Sequence, residues 1–267
     1  PEQDRERLAN LLAALTSSGV GHVTLVSSAS VYGAWPDNAV PLSEDAEVRP
    51  NPQTPFAVRH AEAERAVAEW AAAPAGGAAA AILRPAPVVS APIGGPIGEA
   101  MLAAAPIRTG RDDPPAQFLH LDDLARAVVL AVRRRLSGTY NVSPDGWLTA
   151  AELRALLGAR PKIRLPLPLP NRLDRYVARR VGHEAPTGFL AYTRYPWVVA
   201  NDRLRAAGWS PRYGNDEAFV HADAGMPWDD LNARQRQHLS LALSVAAAGA
   251  AAAVVALGLR RRLRRRR

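Results

Sequence analysis

Two short stretches carry the residues best placed for chemistry. Residues 22–33 read HVTLVSSASVYG, an apolar run of Val23, Leu25 and Val26 closed by the hydroxyls of Ser27, Ser28 and Ser30 and then by the phenol of Tyr32. Residues 56–60 read FAVRH and set Phe56 and His60 four apart. Positions i and i+4 share a helix face, so a helix here aims both rings the same way. His60 titrates near neutrality and is suited to take a proton or hold a hydroxyl, whereas Phe56 has no proton to give. Ser28 can orient a carbonyl with its hydroxyl, and Tyr32 is the nearest phenol that could serve as an acid. A serine closing a strand and a histidine on a helix boundary are the plainer readings of the same residues. There is no cysteine, and no carboxylate and histidine pair shows metal-ligand spacing, so no metal site is expected.

The elements that would position these groups follow from pattern. The apolar run before Ser27 reads as a buried parallel strand, whose C-terminal end is where ligands sit in open α/β sheets. Before it, Leu8, Leu11, Leu12 and Leu15 form one stripe and predict a helix over residues 6–16, ended by Gly19 and Gly21. That helix and strand are half of a βαβ unit whose first strand would precede Pro1, which leaves a sheet edge to be covered. Residues 34–55 form a polar, proline-bearing loop in which Trp35 lines a pocket or is simply half-buried, and Glu44 and Asp45 are solvated or cap a turn. A helix over residues 56–70 carries Phe56, His60, Ala63 and Val67 on one face. A second strand ends at Ile82 to Arg84, and residues 93–115 read as a segment punctuated by glycine and proline. The helix within residues 118–135 puts Leu124, Val128 and Ala131 on its core stripe, with Asp122 and Asp123 suited to its N-cap. His120 packs at a domain junction. Residues 138–143 are a short strand, and Thr149 caps residues 150–157 with Glu152 completing a capping box. Prolines make residues 162–170 an edge strand or extended segment, and residues 171–182 form a helix with a solvated arginine face.

Taken in order, VSSASVYG (26–33), the proline-led helix at 55–65, ILRPAPVV (82–89), FLHLDDLARA (118–127), GTYNVS (138–143), LTAAEL (148–153) and GWSPRY (208–213) resemble the extended short-chain dehydrogenase/reductase family. These are NAD(P)-dependent epimerases and dehydratases that act mostly on nucleotide sugars. The resemblance implies an α/β fold: an incomplete Rossmann-type parallel sheet with a small substrate-side lobe and a C-terminal apolar helix. The implied division is a partial NAD(P)-binding domain over 1–147, a substrate-side lobe over 148–228, and an apolar helix with an arginine-rich tail over 229–267. In the family, a tyrosine passes a proton to or from the substrate, and a lysine four residues later lowers its pKa and holds the nicotinamide ribose. Those positions hold Phe56 and His60 here. Ser28 stands at the family's catalytic Ser/Thr, while Ser27, Pro85, Ala86 and His60 stand on the cofactor side. Pro87, Val89 and Ser90 replace an asparagine, a tyrosine and a glycine of the substrate site, which favours a more apolar small molecule. The family's glycine-rich phosphate loop does not occur in this sequence, so NAD or NADP is expected by resemblance only. The expectation is a family member with weak or lost catalysis; the alternative is a non-catalytic, membrane-associated scaffold or binding protein on the same fold.

Charge and length settle a further class. The formal net charge is +8, but the seven arginines among residues 260–267 account for nearly all of it, so the body is close to neutral and a nucleic-acid partner is not expected. Lys162 is the only lysine, so none nearby replaces the family's catalytic one. Residues 239–259 carry no charge, a length that fits a membrane-spanning helix of roughly 20 residues, although their many alanines make a marginal spanner. Membrane association through 239–267 is therefore expected. The family's cofactor use places the body in the cytoplasm, in conflict with the topology that the arginines predict; an interfacial helix would remove the conflict. A homo-oligomer stays open.

Overall fold

The strand pattern builds a parallel sheet whose ends converge on residues 26–28 and 85–88. The computed structural model describes residues 2–73, 78–90, 94–108, 112–158 and 188–222, all within the unit Pro1–Asp223. Helix α1 (Glu2–Ser17) leads into β1 (His22–Val26), a short 3-10 turn (Ala29–Tyr32) and then α2 (Pro55–Ala72). Strand β2 (Ala79–Pro85) and the two-residue β3 (Val88–Val89) are followed by α3 (Pro96–Arg108), β4 (Leu119–His120), α4 (Leu121–Arg134) and β5 (Gly138–Val142). Helices α5 (Ala150–Leu157), α6 (Asp202–Ala206) and α7 (Asn215–Ala222) complete the order, with a 3-10 turn at Phe189–Thr193 before α6.

The main sheet runs β1-β2-β5, all parallel, with Val26 opposite Leu83 and Leu83 opposite Tyr140. β2 is central and buried, and period-two alternation gives each face its own partners. Ala80 faces the cluster of Leu8, Leu12, Leu15, Leu25, Val67 and Trp70, so α1 and α2 cover that side. Ala81 and Leu83 belong with Ala127 and Ala131 of α4 on the other. Leu11, expected on the apolar stripe of α1, is 55 % exposed. Among the described strands β1 pairs only with β2, which makes it a sheet edge, and its last residue Val26 is exposed.

Several expectations change. The segment punctuated by glycine and proline, to which the sequence pattern assigns no element, contains α3: Pro96 occupies its first turn, where a missing N–H costs nothing, and the run EAMLAAA carries it forward. Gly98 lets that helix approach β3, since a Cβ there would lie 1.8 Å from the Val88 carbonyl oxygen. On α2 the buried positions are Ala57, Glu64 and Val67 rather than Ala63. The N-cap of α4 is His120, whose Nδ1 accepts from the Asp122 amide at 3.2 Å. Asp123 instead turns inward, fully buried, and accepts the backbone amides of Arg212 and Tyr213 at 3.0 Å each. Its carboxylate thus pins the 209–214 loop rather than capping a helix. Glu44 is also drawn in, accepting from the Asn141 amide at 2.9 Å. Trp35 is half-buried, with its indole N–H donated to the Arg49 carbonyl. The capping box of Thr149 and Glu152 stands as expected. The segments at 162–182 and 239–267 lie outside the described residues. Among the described helices none is long and apolar enough to cross a membrane.

Candidate functional site

At the C-terminal ends of β1 and β2 lies a cavity of about 290 Å³. Its wall includes Ser27 and Ser28 from the end of β1, Phe56 and His60 from the first turns of α2, and Pro85 and Ala86 from the end of β2. Six of the seven residues singled out from sequence therefore meet on one surface. The cause is register: the Ser27 amide donates to the Leu83 carbonyl and the Ala86 amide to the Val142 carbonyl, both at 2.8 Å, so the strands end together. Pro55 at the start of α2 then swings Phe56 and His60 across those ends. Pro87, Val88, Ile97, Leu121 and Leu124 finish the wall, with Gly94 to Gly98 at the start of α3. Val26 and Leu121, both partly exposed, sit at its margin.

Phe56 and His60 pack edge to face, their ring centroids 4.4 Å apart. Burial pushes the His60 imidazole below its ordinary pKa; Glu64 opposes this and Arg59 assists it. The ring is therefore neutral at physiological pH, able to accept or donate one hydrogen bond but carrying no positive charge. Ser28 caps the 3-10 turn, its Oγ accepting from the Ser30 amide at 3.2 Å.

Tyr32, the seventh residue, is not brought to the cavity wall. It is 1 % exposed, its hydroxyl donates to Asn141 Oδ1 at 2.8 Å, and it accepts from Arg84 Nη1 at 2.8 Å. The Arg84 guanidinium also lies 4.7 Å from the centre of the phenol ring. Burial raises the Tyr32 pKa in spite of Arg84, the opposite of what an activated phenol needs. This phenol is a structural tie.

Sequence reasoning missed what lies behind the wall. Glu64, one turn beyond His60 on α2, is buried and receives Arg84 Nε at 3.1 Å and Nη2 at 2.6 Å. It also accepts the Ser27 hydroxyl proton at 2.5 Å. A continuous buried chain thus runs from Ser27 through Glu64, Arg84 and Tyr32 to Asn141. The 56–60–64 spacing was the available signal, since it puts Glu64 on the face of Phe56 and His60. Among the described residues no group of three His, Cys, Asp or Glu side chains could hold a metal ion.

The model for the NAD dependent epimerase/dehydratase family matches residues 4–143, more than half of the chain. The chain belongs to that family. Solved structures agree on the fold. MoeE5 in complex with UDP-glucose and NAD superposes with a TM-score of 0.58 at 24 % identity, over 80 % of this chain and 68 % of that one. The dTDP-glucose 4,6-dehydratase of Bacillus anthracis str. Ames, in complex with NAD, gives 0.57 at 15 % identity, over 85 % and 67 %. The UDP-glucose 4-epimerase of Thermus thermophilus, in complex with NAD, gives 0.55 at 21 % identity, over 82 % and 69 %. Among curated proteins, an uncharacterised Sinorhizobium fredii protein, y4nG, is 27 % identical over an alignment of 219 residues that covers 76 % of this chain. The match spans about half, 52 %, of that relative's length.

Pro85 and Ala86 give the cavity an apolar wall, and its one titratable side chain, His60, is held neutral by burial and offers no positive charge to an anionic ligand. The glycines before α3 form no phosphate cradle. The Gly94 amide is given to Glu99 Oε1 at 3.3 Å and the Gly95 amide to the Val88 carbonyl at 3.0 Å.

Proposed function

We propose that this epimerase/dehydratase family member has lost the proton-transfer step of the family and keeps the strand-end cavity to bind a small molecule with an apolar body. The observation that carries the reading is the cavity wall itself. Where a family enzyme presents a phenol and an ammonium, this chain presents Phe56 and a neutral His60 packed against each other. The nearest phenol, Tyr32, has both hydrogen-bonding functions committed elsewhere. General acid–base transfer contributes roughly 10²–10⁴ in rate, so its loss removes useful turnover even where a nicotinamide ring can dock. Ser28 remains able to hold a carbonyl, which serves binding without chemistry.

The test is NAD(P)H consumption by the full-length protein with a panel of aldehydes and ketones, alongside the double variant Phe56→Tyr/His60→Lys and NAD(P)H binding followed by fluorescence. The expected result is no turnover by the wild-type protein at any pH between about 6 and 9. Turnover that is abolished by His60→Gln or by Tyr32→Phe would overturn the reading, because it would reveal a replacement acid.

A further inference from the structure

The hydrogen-bonding groups of the cavity are more selective than its apolar walls. We propose that the cavity selects a compact, neutral, ring-bearing amide (a primary carboxamide or lactam), with Ser27 accepting from its N–H and Ser28 donating to its carbonyl. This rests on the reading of the cavity as a binding site and names the ligand class it takes.

Size and lining set the body of the ligand. About 290 Å³ is at the lower end for small-molecule sites, and the wall is made of Phe56, Pro85, Pro87, Ile97, Leu121 and Leu124. A single or fused ring suits such a wall.

Charge is excluded by what surrounds it. No Asp, Glu, Lys or Arg lines the described wall, and its one titratable side chain, His60, is kept neutral by burial. The start of α3, which would otherwise favour an anion, already holds the Glu99 carboxylate on the Gly94 amide. A carboxylate or phosphate entering here would lose its hydration and gain no counter-charge.

The two serines then differ in what they can offer. The Ser27 proton is donated to Glu64, which also receives the Arg84 fork, so Ser27 Oγ presents lone pairs only to the cavity. Ser28 Oγ accepts from the Ser30 amide, and its own proton finds no acceptor among the described residues. Consecutive residues thus supply one acceptor and one donor. An amide is a group that stays neutral at physiological pH and carries a donor and an acceptor side by side in one plane; a ketone satisfies only Ser28.

The experiment measures dissociation constants of benzamide, acetophenone and benzoate for the full-length protein by ligand-observed NMR, with Ser27→Ala and Ser28→Ala as variants. Benzamide is expected to bind about tenfold tighter than acetophenone, the worth of one net hydrogen bond, with benzoate weakest. Ser27→Ala should bring benzamide down to the level of acetophenone while leaving acetophenone within about twofold. Ser28→Ala should weaken both. Equal binding of benzamide and acetophenone, tighter binding of benzoate, or no binding of any of the three overturns the proposal. So does displacement of benzamide by NAD, which would assign the amide preference to the cofactor's ring rather than to a free ligand. The wild-type panel decides the matter alone if Ser27→Ala does not fold. Turnover is not read in this experiment: an enzyme that consumed NAD(P)H would defeat the loss of proton transfer and leave the binding order readable. A flat binding panel would defeat the amide preference and leave the turnover test as it stands.

Discussion

His60 is a titratable ring that burial holds uncharged near neutrality, and pH dependence is where this becomes measurable. Burial lowers its pKa from the ordinary imidazole value of about 6.5. As pH falls below about 6.5 the unfolded chain takes up a proton at this residue that the folded chain refuses, and stability drops wherever the unfolded state binds more protons. The contribution of His60 is therefore complete above about pH 6.5 and is lost progressively as pH falls through the folded-state value. His60→Gln should flatten the dependence of the urea midpoint on pH in that window relative to the wild-type protein and leave the alkaline side unchanged. A variant curve parallel to the wild-type one at every pH would show that the imidazole is not desolvated. Six residues of this wall, Ser27, Ser28, Phe56, His60, Pro85 and Ala86, were legible in the sequence because each lies at a strand end or a helix start, where pattern is local. What His60 does electrostatically was not legible, because burial depends on α2 lying across the strand ends.

At the scale of elements, helices and strands were easier to read from the sequence than their attachments. The i, i+3, i+4 stripe of α1 and the capping box of α5 were both readable, since their partners are four residues away or fewer. The inner helix α3 was hidden by the four glycine and proline residues among positions 94–98, although Pro at a first turn is helical punctuation. Asp123 shows the harder case. Two adjacent aspartates before a helix satisfy the rule for an N-cap, yet the acceptor chosen for that cap is His120, and Asp123 serves a loop nearly ninety positions on, its partners Arg212 and Tyr213. Only the fold brings that loop to α4. Asp123→Asn keeps the shape of the side chain and replaces one accepting oxygen with a donating amide aimed at backbone N–H groups. The expected cost is about 2–3 kcal/mol in unfolding free energy, the range for a buried donor left facing no acceptor and for bonds to a charged group. The corresponding change at Asp122, which is solvent-exposed, should stay within about 0.5 kcal/mol. Equal effects at both positions would return the cap to the aspartates.

Across the whole molecule, helix α2 is tied to the central strand of the sheet through a buried charge pair. Glu64 comes from α2 and Arg84 from the central strand, their side chains 6 % and 7 % exposed, and between them they engage Ser27 at the cavity and Tyr32 beneath it. In sequence, charged residues on a helix and at a strand end read as solvated, and nothing local pairs two groups twenty positions apart. The pair is costly to assemble, because desolvating both ions offsets much of their attraction. Its value lies in fixing how α2 sits over the strand ends, and hence where Phe56 and His60 stand. Arg84→Met should leave an unpaired buried carboxylate and cost about 3–5 kcal/mol. Glu64→Leu should cost a similar amount by stranding the guanidinium. The double variant Glu64→Leu/Arg84→Met removes both charges. It leaves Ser27 without its acceptor and Tyr32 with Asn141 alone, which sets its cost nearer 1–3 kcal/mol. The double variant is therefore expected to be more stable than either single one, a coupling that urea denaturation of the four proteins reads directly. Because the Ser27 proton would then be free to turn toward the cavity, the same double variant should also lose its preference for benzamide over acetophenone. Additive losses in stability, or an unchanged ligand order in a folded double variant, would separate the charge pair from the shape and chemistry of the cavity.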